Sequence, residues 1–246
     1  MTEPIRIVAL AAGLSTPSST RMLADQLSRA ARLELERAGA VVDVQTVELR
    51  ELAHDITDAM LTRFTGERLG VVVESIRTAD AVIAVTPVFN VGPSGLFKSF
   101  FDAMDIEIWK DKPVLLGATA GTPRHSLAID YALRPMFGYL KAQVVPTSVF
   151  AASADFGAGA EGQQDQAPLA SRVRRAAGEL AAMLTAQPPQ PDADTFDGAD
   201  GARAVADADG AKGDAHGDGS RLDLSAASSD GTFRDFVPMG ALLGRD

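Results

Sequence analysis

Five short apolar runs, at residues 5–11, 41–47, 81–85, 113–118 and 144–150, alternate with helix-periodic segments over the first 186 residues. That alternation limits the fold more than any other property of the chain. Most of these runs lack a polar face, so strands built from them must be covered on both sides, as in a parallel sheet between two helical layers. The intervening segments suit that role. Residues 18–39 place Leu23, Leu27, Ala30, Ala31 and Leu35 at helical spacing, and Gly39 fits the position just past a helix end. Further helices are predicted at 67–79, 94–104, 125–141 and 166–186, with a polar connection over 48–65. The order predicts one α/β domain over 1–186, a doubly wound three-layer sandwich with a five-stranded parallel sheet.

The composition changes at about residue 187. Residues 187–232 hold ten aspartates, no glutamate and only Arg203, Lys212 and Arg221 as basic residues, so most of the formal net charge of −10 lies there. Rich in Pro, Asp, Ala and Gly, this stretch is expected to be a disordered acidic linker. Residues 233–246 regain Phe233, Phe236, Val237, Met239, Leu242 and Leu243, a short apolar segment suited to docking on the domain, a second subunit or a partner. No concentrated Lys/Arg patch is present, which argues against a nucleic-acid ligand. With no cysteine there is no disulfide, thiolate metal site or Cys nucleophile. The N-terminus lacks a basic region leading into a long apolar run, and no apolar run is long enough to span a membrane. A soluble, cytoplasmic protein is therefore expected.

Ligands of doubly wound sheets bind beyond the carboxyl ends of the strands, and three loops predicted there carry suitable chemistry. The first holds Gly13 and five hydroxyls (Ser15, Thr16, Ser18, Ser19 and Thr20) at the entry to a helix, where free amides and the positive dipole end favour a phosphate. Its single glycine does not match the dinucleotide-binding pattern, so a terminal phosphate monoester is favoured over a pyrophosphate. Arg21 could add charge. In the second loop, after residue 85, Pro87, Val88, Phe89 and Asn90 offer a rigid surface, a π face and an amide, a floor for a planar heterocycle. The third, from Thr119, carries Gly121 for close approach, Thr122 as a donor and Arg124 for an anion. His125 invites a catalytic reading, but its place at a helix start suits a loop-orienting role.

With these loops in view, the chain resembles the NADPH-dependent FMN reductase family, in particular alkanesulfonate-type flavin reductases and the branch partnered with luciferase-like monooxygenases. The likeness covers nearly all of residues 5–155. It rests on Thr86-Pro87-Val88-Phe89 with Ser94, Gly95 and Lys98, and on Gly121-Thr122 with His125 and the run Ala128-Ile129-Asp130-Tyr131-Ala132-Leu133-Arg134-Pro135. It implies a flavodoxin-like fold and FMN with its phosphate on Ser15, Ser18, Ser19 and Thr20. The isoalloxazine would lie against Pro87, Val88, Phe89, Asn90, Ser94, Gly121 and Thr122, and Arg124 would meet the phosphate of NADPH. It further implies hydride transfer from NAD(P)H to FMN, release of reduced flavin to a flavin-dependent monooxygenase, and assembly as a homodimer or homotetramer. Hydride transfer between two cofactors needs no catalytic triad, carboxylate pair or metal, and none is evident in the sequence. Two other readings stay open: a quinone or azo reductase that retains its FMN, and a non-enzymatic FMN-binding electron-transfer module.

Overall fold

The computed structural model describes residues 3–156 and 168–186. The expected acidic linker and the apolar segment 233–246 lie outside the described residues. Strands β1 (Ile5–Ala11), β2 (Val42–Glu48), β3 (Ala81–Phe89), β4 (Gly92–Pro93), β5 (Pro113–Ala120), β6 (Gln143–Val144) and β7 (Val149–Ala152) form one sheet. The helices are α1 (Ser19–Arg37), α2 (Ala53–Thr62), α3 (Glu67–Arg77), α4 (Gly95–Ala103), α5 (Arg134–Tyr139) and α6 (Leu169–Thr185). The parallel order is β2-β1-β3-β5, with β6 and β7 both pairing with the outer side of β5. This is the flavodoxin-like arrangement, with the strands' carboxyl ends at one edge.

Alternate residues of each strand enter two separate cores. Val8, Leu10, Val82, Ala84, Val114 and Leu116 pack against the layer of α2 to α5, while Ile7, Ala9, Ile83, Val85 and Leu115 face α1 and α6. In the first core Phe97, Phe100, Phe101, Trp109 and Phe137 form an aromatic cluster, with Phe101 and Phe137 edge-on at 4.9 Å. Phe97 and Phe100 are 0% exposed and Phe101 is 3%. Helix α4 therefore places its three phenylalanines in the core of the chain.

Four elements depart from expectation for identifiable reasons. The supposed polar connection contains α2, because Leu49, Leu52, Ile56 and Ala59 recur at three- and four-residue spacing and are buried. β3 does not stop at Val85. Thr86 and Pro87 stay paired with β5, and the chain then reverses so that Val88 and Phe89 pair with Pro93 and Gly92. The predicted helix over 125–141 is instead a short turn, a wide π-turn at Ile129–Leu133 and α5, since Pro135 has no amide to continue regular helical bonding. The fifth strand is split by Pro146 into β6 and β7.

Glu179 of α6 secures that split. Its carboxylate accepts from the Thr147 amide at 2.6 Å and the Thr147 hydroxyl at 2.7 Å. Burial pushes this carboxyl up, but the Thr147 bonds and Arg175 outweigh it and hold it below the ordinary carboxylate range. A depressed folded-state value stabilises the fold above the unfolded pKa, and that contribution is lost as pH falls through the depressed value. Glu179→Gln should therefore cost about 1 kcal/mol at neutral pH, and its difference from the parent should vanish in acid; denaturant unfolding across pH measures both.

The hairpin tip allows a second test. Asn90 and Val91 have φ of 49° and 67°, as a two-residue hairpin turn of this hand requires. Val91 is β-branched and 67% exposed. Left-handed backbone costs such a residue about 1–2 kcal/mol, while glycine's extra chain entropy costs about 0.5–1 kcal/mol. Val91→Gly should thus raise the unfolding free energy by about 0.5–1 kcal/mol, read as a higher denaturant midpoint.

Candidate functional site

At the carboxyl edge of the sheet lies a cavity of about 350 Å³, lined by Gly13, Leu14, Ser15, Ser18, Ser19, Thr20, Pro87, Val88, Phe89, Thr119, Ala120, Gly121 and Ser153. That volume falls in the small-molecule range. Its walls come from the ends of β1, β3, β5 and β7, so the parallel register gathers residues up to 140 positions apart in sequence.

The loop from β1 to α1 forms one end. The Ala12 amide bonds the Val85 carbonyl at 2.9 Å, which anchors the loop to β3. A side chain at Gly13 would place its Cβ 1.9 Å from Ser18 Oγ, so only glycine lets the loop fold back this tightly. Ser18 caps α1 by accepting from the Arg21 amide at 3.2 Å. The Ser19 and Thr20 amides occupy the first turn, where a helix supplies no acceptor, and no acidic residue stands there. The exposed Ser19 hydroxyl has no partner among the described residues. Such an end accepts an anion.

Charge around this loop is arranged by Glu48, the last residue of β2. It pairs with Arg21 at 2.8 Å and Arg50 at 2.9 Å, and Arg50 also grips the Thr16 hydroxyl. Arg21 is further tied to Asp25 at 2.9 Å. Those partners hold its guanidinium more firmly charged than usual, against the opposing effect of burial. Committed to two carboxylates, Arg21 is not the loose cation its place in the sequence suggests. Arg50, from outside the loop, is the guanidinium that braces it.

The other end is flatter. Pro87 and Val88 are buried, while Phe89 is 47% exposed and faces the cavity beside the Gly121 wall. Of the twelve residues singled out in the sequence, the structure brings Ser15, Ser18, Ser19, Thr20, Pro87, Val88, Phe89 and Gly121 into the lining. Asn90 instead shapes the hairpin tip. Ser94 is 1% exposed; its hydroxyl accepts from the Phe97 amide at 3.2 Å and caps α4. Thr122 and Arg124 are exposed on the turn beyond Gly121, outside the lining. Thr119 and Ser153 line the cavity but were not singled out. Thr119 opens the third loop, and Ser153 directly follows the last strand, so their strand-end positions were the available signal.

Comparisons with known proteins agree with this architecture. The chain is 34% identical over 184 residues to an FMN reductase (NADPH) of Pseudomonas aeruginosa PAO1, covering 75% of this chain and 94% of that one. It is 35% identical over 185 residues to the NADH-dependent FMN reductase SfnF of Pseudomonas fluorescens Pf0-1, with the same two coverages. A crystal structure of an oxidoreductase from Corynebacterium diphtheriae superposes with a TM-score of 0.69 at 43% identity, over 74% of this chain and 98% of that one. The NADH:FMN oxidoreductase EMOB, in its apo form, gives a TM-score of 0.63 at 25% identity, over 77% and 99%. The sequence profile of the NADPH-dependent FMN reductase family spans residues 5–157, and the chain belongs to that family.

Proposed function

We propose that this chain oxidises NAD(P)H, reduces FMN in the cavity at the sheet edge, and releases the reduced flavin to a separate flavin-dependent monooxygenase of the luciferase-like class. The observation that carries the reading is a single cavity with an anion-accepting helix end at one side and an apolar, aromatic floor at the other. FMN has that same division, a phosphate monoester joined to a planar ring system. In this reading the hydroxyls of Ser18, Ser19 and Thr20, with the first-turn amides of α1, hold the phosphate, and the Ser15 hydroxyl, which donates to the Pro17 carbonyl at 3.0 Å, turns to join them. Pro87, Val88 and Phe89 support the ring, and Gly121 leaves room for it to approach backbone.

Bound flavin supplies the hydride acceptor, so the chain's part is binding, orientation and charge stabilisation. The backbone near Gly121 and Thr122 is assigned to the negative charge that develops on the ring. Arg124, exposed beyond Gly121, is assigned to the phosphate that distinguishes NADPH from NADH. The half-exposed Phe89 supports exchange of flavin with solvent over permanent retention. Leu127, Tyr131 and Tyr139 are 59%, 79% and 77% exposed on the segment around the π-turn, an apolar outer face suited to a homodimer or homotetramer contact. Sedimentation as a monomer would contradict that assignment.

Steady-state oxidation of NADPH and NADH, with FMN, FAD and riboflavin as acceptors, tests the activity. FMN should give the highest kcat/KM and NADPH the lower KM, and flavin should elute apart from the protein on gel filtration. No nicotinamide oxidation with FMN would overturn the activity. Stoichiometric flavin retained through turnover with a quinone would favour the organic-acceptor reductase.

A further inference from the structure

The buried hydroxyls of Thr20 and Thr119 lie 2.8 Å apart and join α1 to the end of β5, 99 positions away in sequence. Each residue is 2% exposed, and both line the cavity. A pair of hydroxyls has two protons; one lies in their mutual bond and the other is left over. Neither hydroxyl has another partner among the described residues, so the ligand decides where the second proton points.

Thr20 stands in the first turn of α1, beside the amides open to an anion, whereas Thr119 sits next to Ala120 and Gly121 on the ring side. A phosphate accepts hydrogen bonds and has none to give in its dianionic form. If Thr20 donates to it, the Thr20–Thr119 bond survives only with Thr119 as donor. The chain Thr119 to Thr20 to phosphate then runs in one direction, and each bond polarises the next in the low-dielectric interior. A flavin lacking the phosphate imposes no such order.

We infer that Thr119 is a positioning residue: by donating to Thr20 it directs the Thr20 hydroxyl at a ligand phosphate, and so helps the site select flavins that carry a 5′-phosphate over those that do not. The inference rests on the phosphate placement proposed above.

Titration of flavin fluorescence with FMN and with riboflavin tests it. Thr119→Val should weaken FMN binding about tenfold while changing riboflavin binding by less than about twofold, the loss expected for one hydrogen bond that reinforces a charged contact. Thr119→Ser keeps the O–H and should keep the parent's FMN preference. Thr20→Val should lose the preference, and Thr20→Val with Thr119→Val should lose no more of it than Thr20→Val alone. If Thr119→Val does not fold, Thr119→Ala provides the same comparison. Equal weakening of both flavins, or no change in either, would overturn the inference while leaving the phosphate placement standing. A parent protein that binds FMN and riboflavin equally would overturn both.

Discussion

Parallel pairing of β1, β3 and β5 brings three loops to one edge of the sheet, and the candidate site depends on that register. Leu10 opposite Ala84, and Ala84 opposite Leu116, bring the strand ends level. The anion-accepting start of α1, the Pro87–Phe89 floor and the Gly121 wall then face one cavity. Because alternate residues of each strand enter opposite cores, a one-residue slip would exchange the two apolar sets. The packing that stabilises the fold also fixes the site.

On this frame the polar groups have divided tasks. Ser94 and Thr86 hold the start of α4: the Ser94 amide donates to Thr86 Oγ1 at 3.1 Å, and the Ser94 hydroxyl caps the helix. Glu48 gathers Arg21 and Arg50 at the rim of the first loop. Ser19, the first-turn amides of α1 and the Thr20–Thr119 pair are left to face the cavity. Asp155 of the turn containing Ser153 pairs with Arg172 of α6 at 2.7 Å, so the fourth wall is braced from the opposite helical layer.

Much of this was legible in the sequence because burial on two faces leaves continuous apolar runs, and loops after such runs have a known position. The flavodoxin-like sheet, the hydroxyl-rich first loop and Pro87, Val88, Phe89 and Gly121 follow from that logic. Helix α2 was hidden by its polar residues, although its buried positions keep helical spacing. The hairpin after β3 was hidden because Val91 stands where glycine usually signals the turn. Ser94 reads as a ligand in a linear motif, yet it is 1% exposed at the start of α4 and outside the cavity lining. The Thr20–Thr119 bond and the Arg50 brace join residues distant in sequence, and only the folded register brings them together.

In the proposed binding mode the start of α1 takes the phosphate of FMN while the Pro87–Phe89 surface takes its ring. A crystal structure of the full chain with FMN measures this most directly. Phosphate oxygens should lie within hydrogen-bond distance of the Ser19 and Thr20 amides, and the isoalloxazine should lie over Phe89 against Gly121. A phosphate bound elsewhere, or a ring on the opposite edge of the sheet, would contradict it.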